Sequence, residues 1–156
     1  LGELREQIDA AADAVREVAH GLSPRILSEQ GLGPALEELT AGLPVETEVN
    51  WAGRAGAGAP SPSDEASEDL YLIASEAITN AMKHSECSRI EVDVARQDDV
   101  VQLTVRDDGA GGAAPTGRGI LSMAARARRL GGTFELVSPD GGPTTVTVRI
   151  PSGGPR

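Results

Sequence analysis

The sequence predicts a two-layer α/β sandwich preceded by an amphipathic helix. Three observations carry that expectation. From Val45 onward the hydrophobic periodicity reads strand, helix, two strands, helix, two strands, which suits an antiparallel or mixed sheet with helices on one face. Ahead of it, Leu4, Ile8, Ala11, Val15, Val18 or Ala19, and Leu22 recur at three- and four-residue steps, one apolar stripe on a helix. The core must also be aliphatic: 39% of the 156 residues are hydrophobic, yet Trp51, Tyr71 and Phe134 are the only aromatics.

The elements follow in order. Acidic and basic residues fill the rest of the first helix, and Ser23-Pro24 should end or kink it. A short second helix is expected from Pro34 to Leu39, with the proline in its first turn. A long amphipathic helix cannot bury its stripe alone, and no obvious second long helix is left over to pair with it. Val45–Ala52 reads as a strand and Gly53–Ser63 as a flexible loop. Asp64–His84 reads as a helix, capped by Ser63 or Asp64, with Leu70, Ile73, Ala74, Ala77, Ile78 and Ala81 inward. Ile90–Val94 and Val101–Val105 alternate cleanly across Gln97-Asp98-Asp99, a hairpin signal. A glycine-rich stretch, Asp107–Gly119, leads into a helix with Ile120, Met123, Ala124, Ala127 and Leu130 on its apolar face, stopped by Gly131-Gly132. Thr133–Ser138 and Thr144–Ile150 flank Asp140-Gly141-Gly142 as a second hairpin.

Charge narrows the partners. Acids outnumber bases 24 to 14, for a net charge of −10, which disfavours sequence-nonspecific nucleic-acid binding and direct contact with an anionic membrane. The excess is heaviest at the start: residues 1–48 hold ten acids and three arginines, suggesting two units. The single cysteine, Cys87, allows no intrachain disulfide, which fits a reducing compartment. No apolar run approaches transmembrane length and no signal peptide is visible. The chain opens on Leu1 and reads as an excerpt with room for membrane segments upstream.

Three clusters can carry chemistry. On the helix ending at His84, Glu76, Asn80 and Lys83 lie within roughly 60° of one another. Acid, amide and base on one narrow strip suit a hydrated Mg2+ and a polyphosphate; alone, such a strip is also an ordinary solvated helix edge. Next, Arg106-Asp107-Asp108-Gly109-Ala110-Gly111-Gly112 puts an acid at a strand end before glycines. The carboxylate can accept from an exocyclic amine and the glycines admit a flat ring, although the same residues make a turn. Last, Gly117-Arg118-Gly119 opens a helix, where free amides and a guanidinium attract anions. Its spacing matches neither the Rossmann fingerprint nor the P-loop. The four arginines from Arg118 to Arg129 read as a solvated helix face, with a phosphate or partner surface as the alternative.

Taken together, the clusters resemble the Bergerat, or GHKL, ATP-binding domain shared by gyrase B, Hsp90, histidine kinases and MutL. The N-box is Glu76–His84, the first glycine box Asp107-Asp108-Gly109-Ala110-Gly111 and the second Gly117-Arg118-Gly119. Within that superfamily the chain looks most like sensor histidine kinases that pair with helix-turn-helix response regulators. Two features point to this branch: Ala19–Pro24 through Gly31–Leu36, and the very short Gly112–Thr116 connection between the glycine boxes. The resemblance implies a partial dimerisation region over 1–43 (its second helix only), an HATPase_c catalytic domain over 44–151, and a disordered tail over 152–156. It implies ATP and Mg2+ as cofactors, with Asn80 as metal ligand and Glu76 either orienting a metal-bound water or acting as base. Lys83 would contact phosphate and Asp107 the adenine amino group, with Gly109 and Gly111 shaping the pocket. Gly117, Arg118 and Gly119 would line the phosphates. Thr144 or Thr145 would approach the adenine side, next to Pro143, where the family often has Gly.

The implied reaction moves the γ-phosphate of ATP to a histidine and then to an aspartate of a response regulator receiver domain. The implied setting is cytoplasmic, in a homodimer and as the cytoplasmic part of a membrane-bound sensor. Neither histidine here has the acceptor's context, an acidic residue following it on the first dimerisation helix. His20 sits beside Gly21 at the end of the second helix and His84 belongs to the N-box, so the chain is expected to lack its own acceptor. The competing expectations are an anti-sigma serine kinase on the same fold and a nucleotide-dependent interaction module without phosphotransfer.

Overall fold

The structure, a computed structural model, describes residues 2–21, 25–53 and 60–153, and for 16–21 and 53 the backbone alone. The Ser23-Pro24 stop, Leu22 of the first stripe, most of the Gly53–Ser63 loop and the end of the tail lie outside the described residues. Elements run in the order α1 (Gly2–Gly21), α2 (Arg25–Gln30), α3 (Leu32–Thr40), β1 (Glu46–Gly53), α4 (Asp64–His84), β2 (Arg89–Gln97), β3 (Val100–Asp107), α5 (Arg118–Arg129), β4 (Thr133–Val137) and β5 (Thr144–Pro151).

The strands form one mixed sheet in the order β1-β2-β3-β5-β4. Only β1 and β2 are parallel, Glu46 opposite Arg89, because α4 intervenes as the crossover; the other neighbours are antiparallel. The two-residue link Asp98-Asp99 closes the β2–β3 hairpin with Asp98 at φ 53°, a conformation Asp tolerates. Alternation then sorts the faces. Ile90, Val92, Val94, Val101, Leu103, Val105, Val146, Val148 and Ile150 are buried on the helical side. The other face is a charged lattice in which Arg89 bonds Glu46, Glu48 and Glu91.

The helices α3, α4 and α5 cover the sheet, and α4 sits at the centre of the packing. It starts at Ser63, whose hydroxyl accepts from the Ala66 amide at 3.2 Å, and carries Asp64 and Glu65 in its first turn. The sequence marks six inward positions on α4, but the helix is buried nearly all round, with Asp69, Tyr71, Ser75, Thr79 and Met82 also enclosed. Neighbouring helices are the reason: α5 covers Asp69, and α1 packs against α4, burying Ala12 and Val15 and pairing Asp13 with Lys83 at 2.8 Å. The long partner that α1 lacked in the sequence is therefore α4. A second correction concerns α2, which periodicity missed. With α3 it places Leu27, Leu32, Ala35, Leu36 and Leu39 in the same core as the sheet. Among the described residues, no helix is long and apolar enough to cross a membrane.

Candidate nucleotide site

Four chain segments that meet side by side build the site. The polar strip of α4, the end of β3 at Asp107, the start of β5 at Thr144 and the start of α5 at Arg118 surround a cavity of about 490 Å³. Its walls are apolar where Ala77, Ala81, Val105, Ile120 and Val146 meet, and polar at Glu76, Asn80, Asp107, Arg118 and Thr144. A slot of this kind accepts a flat apolar body with a few directed polar groups.

At one end Asp107 is buried at 5% exposure. Its Oδ1 accepts from the Gly109 amide at 2.9 Å, and burial raises the carboxyl above the ordinary Asp range although that amide donates to it. Asp108, its neighbour, goes the opposite way. It accepts from the Ser88 amide and hydroxyl at 2.8 and 2.6 Å and from the Arg89 amide at 2.9 Å, which hold its carboxyl below the ordinary range. The linkage signs differ accordingly. The Asp107 contribution to stability is fully present below the unfolded-state pKa and is lost as pH rises through the raised folded value. The Asp108 contribution is present above the unfolded-state value and is lost as pH falls through the depressed one. Asp108 ties the start of β2 to the end of β3, leaving Asp107 facing the cavity.

The loop after β3 is held by backbone bonds at both flanks. Ala110 N–H donates to the Ser85 carbonyl at 2.8 Å, Gly112 N–H to the Ser138 carbonyl at 3.2 Å and Gly141 N–H to the Ala110 carbonyl at 2.7 Å. The Ser138 hydroxyl accepts from Ala113 N–H and lies 2.8 Å from Thr144 Oγ1. Gly111 has φ +65° and passes so close to the Pro139 carbonyl that a methyl group would overlap it. Glycine is structurally required here, as it is at Gly109, where a Cβ would overlap the Ser85 carbonyl.

At the other end, α5 begins at Gly117 without a side-chain cap, in contrast to α4. Its first amides are the donors that an anion satisfies at a helix N-terminus. Gly119 lies against the Glu76 carboxylate, and a side chain there would displace it. Among the described residues, no group of three or more His, Cys, Asp or Glu could hold a metal. Asn80 and Glu76, one turn apart and lining the cavity, offer one amide oxygen and one carboxylate. That donor set fits Mg2+, which keeps its waters and takes further oxygens from a polyphosphate; it does not fit a metal caged by protein alone.

Of the residues singled out in the sequence, Glu76, Asn80, Asp107, Gly111, Gly117, Arg118, Gly119 and Thr144 line one cavity. Three do not. Lys83 is 23% exposed and bonds Asp13. Thr145 stands opposite Arg106 on the charged face of the sheet, whereas Thr144 stands opposite Asp107. Gly109 serves Asp107 through its amide and packs on Ser85. Sequence reasoning missed Ser85, which is buried, bonds the Ala81 carbonyl at 2.7 Å and receives Ala110. It also missed Asp69, which binds Arg126 and Arg129, so two of the four arginines are tied to an internal acid, Arg129 while still 59% exposed. Cys87 is half-buried and its thiol is pushed up by burial, which leaves no activated thiolate.

The family described as histidine kinase-, DNA gyrase B- and HSP90-like ATPase matches residues 65–154, from the first turn of α4 to beyond β5. The chain belongs to this family. The nitrate/nitrite sensor protein NarX of Escherichia coli is 35% identical over 158 residues, 95% of this chain and 25% of NarX. The histidine-protein kinase/phosphatase UhpB of Salmonella typhimurium is 30% identical, over 96% of this chain and 31% of UhpB. The sensor histidine kinase MctS of Rhizobium johnstonii is 28% identical, over 97% and 34%. The chain thus spans a quarter to a third of the length of these relatives. Among solved structures, the histidine kinase domain of the Erythrobacter litoralis EL346 blue-light activated kinase superposes with a TM-score of 0.58 at 18% identity, covering 92% of this chain and 65% of that one. The ATP-binding domain of PrrB from Mycobacterium tuberculosis gives 0.58 at 24%, covering 80% and 92%. Both likenesses are of fold, the five-stranded mixed sheet of this chain and its helical layer.

Proposed function

We propose that this chain is the ATP-binding catalytic domain of a two-component sensor histidine kinase. One observation carries the reading: a buried strand-end carboxylate, an Asn/Glu pair on α4 and an uncapped helix N-terminus line a single cavity. Asp107, with Thr144 beside it, accepts from the adenine amino group while Val105, Val146 and Ile120 sandwich the ring. The α5 amides and Arg118 receive the phosphates, and Asn80 with Glu76 would hold Mg2+. When bound, that ion supplies charge neutralisation along the polyphosphate. Transfer of the γ-phosphate then needs mainly positioning and preorganised charge, which these residues offer. Lys83 contacts phosphate only by leaving Asp13, and an exposed ion pair of this kind costs about 1 kcal/mol or less to break.

The curated relatives bear names of sensor kinases, which favours a histidine acceptor and a response regulator as partners. The acceptor belongs to another helix, the active form is a homodimer, and a reaction fed by ATP acts on the cytoplasmic side. The test supplies the missing piece. Incubated with ATP, Mg2+ and a separate domain carrying an acceptor helix, the chain should generate acid-labile, base-stable phosphate on that helix and none on itself. ATP bound without any phosphohistidine would favour a nucleotide-dependent interaction module.

Acidity provides an independent check. The Asp107 carboxyl is raised by burial, and its ionised form is the stronger acceptor for the adenine amino group. ATP affinity should therefore begin to fall on acidification at a pH above the ordinary Asp range, and an Asp107→Asn variant should lose that dependence. Affinity flat down to the ordinary Asp range would refute the assignment of Asp107.

A further inference from the structure

The cavity lies at one end of the α4–α5 contact, and a second polar junction lies at the other. The Asp69 side chain is 1% exposed and accepts from Arg126 Nη1 at 2.9 Å and Arg129 Nε at 3.0 Å, with a terminal nitrogen of Arg129 also on Oδ1. Glu76 follows Asp69 by seven residues, and Gly119 precedes Arg126 by seven. Two helical turns separate the junctions on both helices, so α4 and α5 run antiparallel in matched register, with contacts about 10 Å apart. Between them lie Ile73 and Met123, both buried. Apolar contacts of that kind are non-directional and tolerate a small slide, whereas two guanidinium groups on one buried carboxylate do not. The α5 terminus that faces Glu76 has no side-chain cap to fix it locally.

The geometry points to Asp69 as a positioning residue for the phosphate half of the nucleotide site. By gripping Arg126 and Arg129 it sets the register of α5 on α4, and so where the Arg118 and Gly119 amides and the Arg118 side chain stand relative to Asn80 and Glu76. Asp69 touches no part of the cavity itself. The inference rests on the ATP reading above, and it separates the two ends of the ligand. Loss of the grip moves the phosphate donors and leaves Asp107, fixed by the sheet, in place.

The test compares ATP with adenosine on the whole chain, by calorimetry for ATP and by chemical-shift titration for adenosine. Asp69→Asn keeps the side-chain shape and removes the charge. It should weaken Mg-ATP by about tenfold or more, the order of cost of one lost hydrogen bond to a charged group, and leave adenosine affinity unchanged. The double variant Arg126→Gln/Arg129→Gln, altered on the more exposed side of the junction, should reproduce the same split and answers the question if Asp69→Asn does not fold. ATP and adenosine affinities falling together would mark a merely structural role and overturn the inference, as would no change in either. A wild-type chain that binds neither would overturn the ATP reading itself, which is a different result from a missing split.

Discussion

Asp107→Ala should reduce ATP affinity by about 10- to 150-fold while the chain stays folded. The range follows from the cost of one hydrogen bond to a charged acceptor, about 1.5–3 kcal/mol. Folding is spared because the same burial that makes Asp107 a good acceptor also disfavours its charge. Removing it costs the bond from Gly109 but relieves that desolvation, and Asp108 still ties β2 to β3. Calorimetric titration with ATP, alongside circular dichroism of the variant, reads both halves of the expectation. GTP offers a carbonyl oxygen where ATP offers an amine, so the wild type should discriminate against it and the alanine variant should not.

The second large effect falls on folding. Gly111→Val should destabilise the chain by about 3–5 kcal/mol, from a β-branched residue at positive φ combined with overlap of a backbone carbonyl. Gly111 has φ +65°, and its missing side chain would occupy the space of the Pro139 carbonyl, with the Gly142 carbonyl beside it. The loop cannot yield by drifting outward, because Ala110, Gly112 and Gly141 are bonded across it to Ser85 and to the β4–β5 turn. Chemical denaturation should show a lower midpoint. Gly153→Val, where no atom lies within 4 Å, should show no such drop.

How much of this was legible depended on the length scale of each interaction. The bounds of α4 could be read because a cap at Ser63, acids in the first turn and a polar break after His84 are all local signals. The faces of β2, β3 and β5 followed from alternation. The same parity separates Thr144 from Thr145 once Val146 is known to face inward, so that distinction was available in the sequence and was not drawn. The parallel pairing of β1 with β2 was not available, because nothing local in Glu46–Gly53 encodes its neighbour across a crossover. The six residues of α2 are too few to display a period. The α1–α4 contact and the Lys83–Asp13 pair join residues seventy positions apart, and a charge on a helix edge does not announce its partner. Asp69 was overlooked for a different reason: an acid on α4 reads as solvated until the seven-residue spacings of Asp69 to Glu76 and of Gly119 to Arg126 are compared.

The glycine boxes were readable as a set and ambiguous singly. Asp-Asp-Gly after a strand is common turn chemistry, and the structure gives the two acids different tasks, Asp108 making the turn and Asp107 facing the cavity. That division could not be deduced from the dipeptide, since it depends on which carboxylate meets Ser88 and which meets the pocket.

The central claim is that one cavity holds a nucleotide with its base at Asp107 and its phosphates between Asn80 and the start of α5. Calorimetric titration of the unmodified chain with ATP, in the presence and absence of Mg2+, tests it most directly. The account predicts a single site saturating below millimolar ATP, with affinity falling when Mg2+ is chelated and falling again in Asn80→Ala. A folded chain that takes up no ATP at millimolar concentration, or takes it up equally well without Asn80 and without Mg2+, would contradict it.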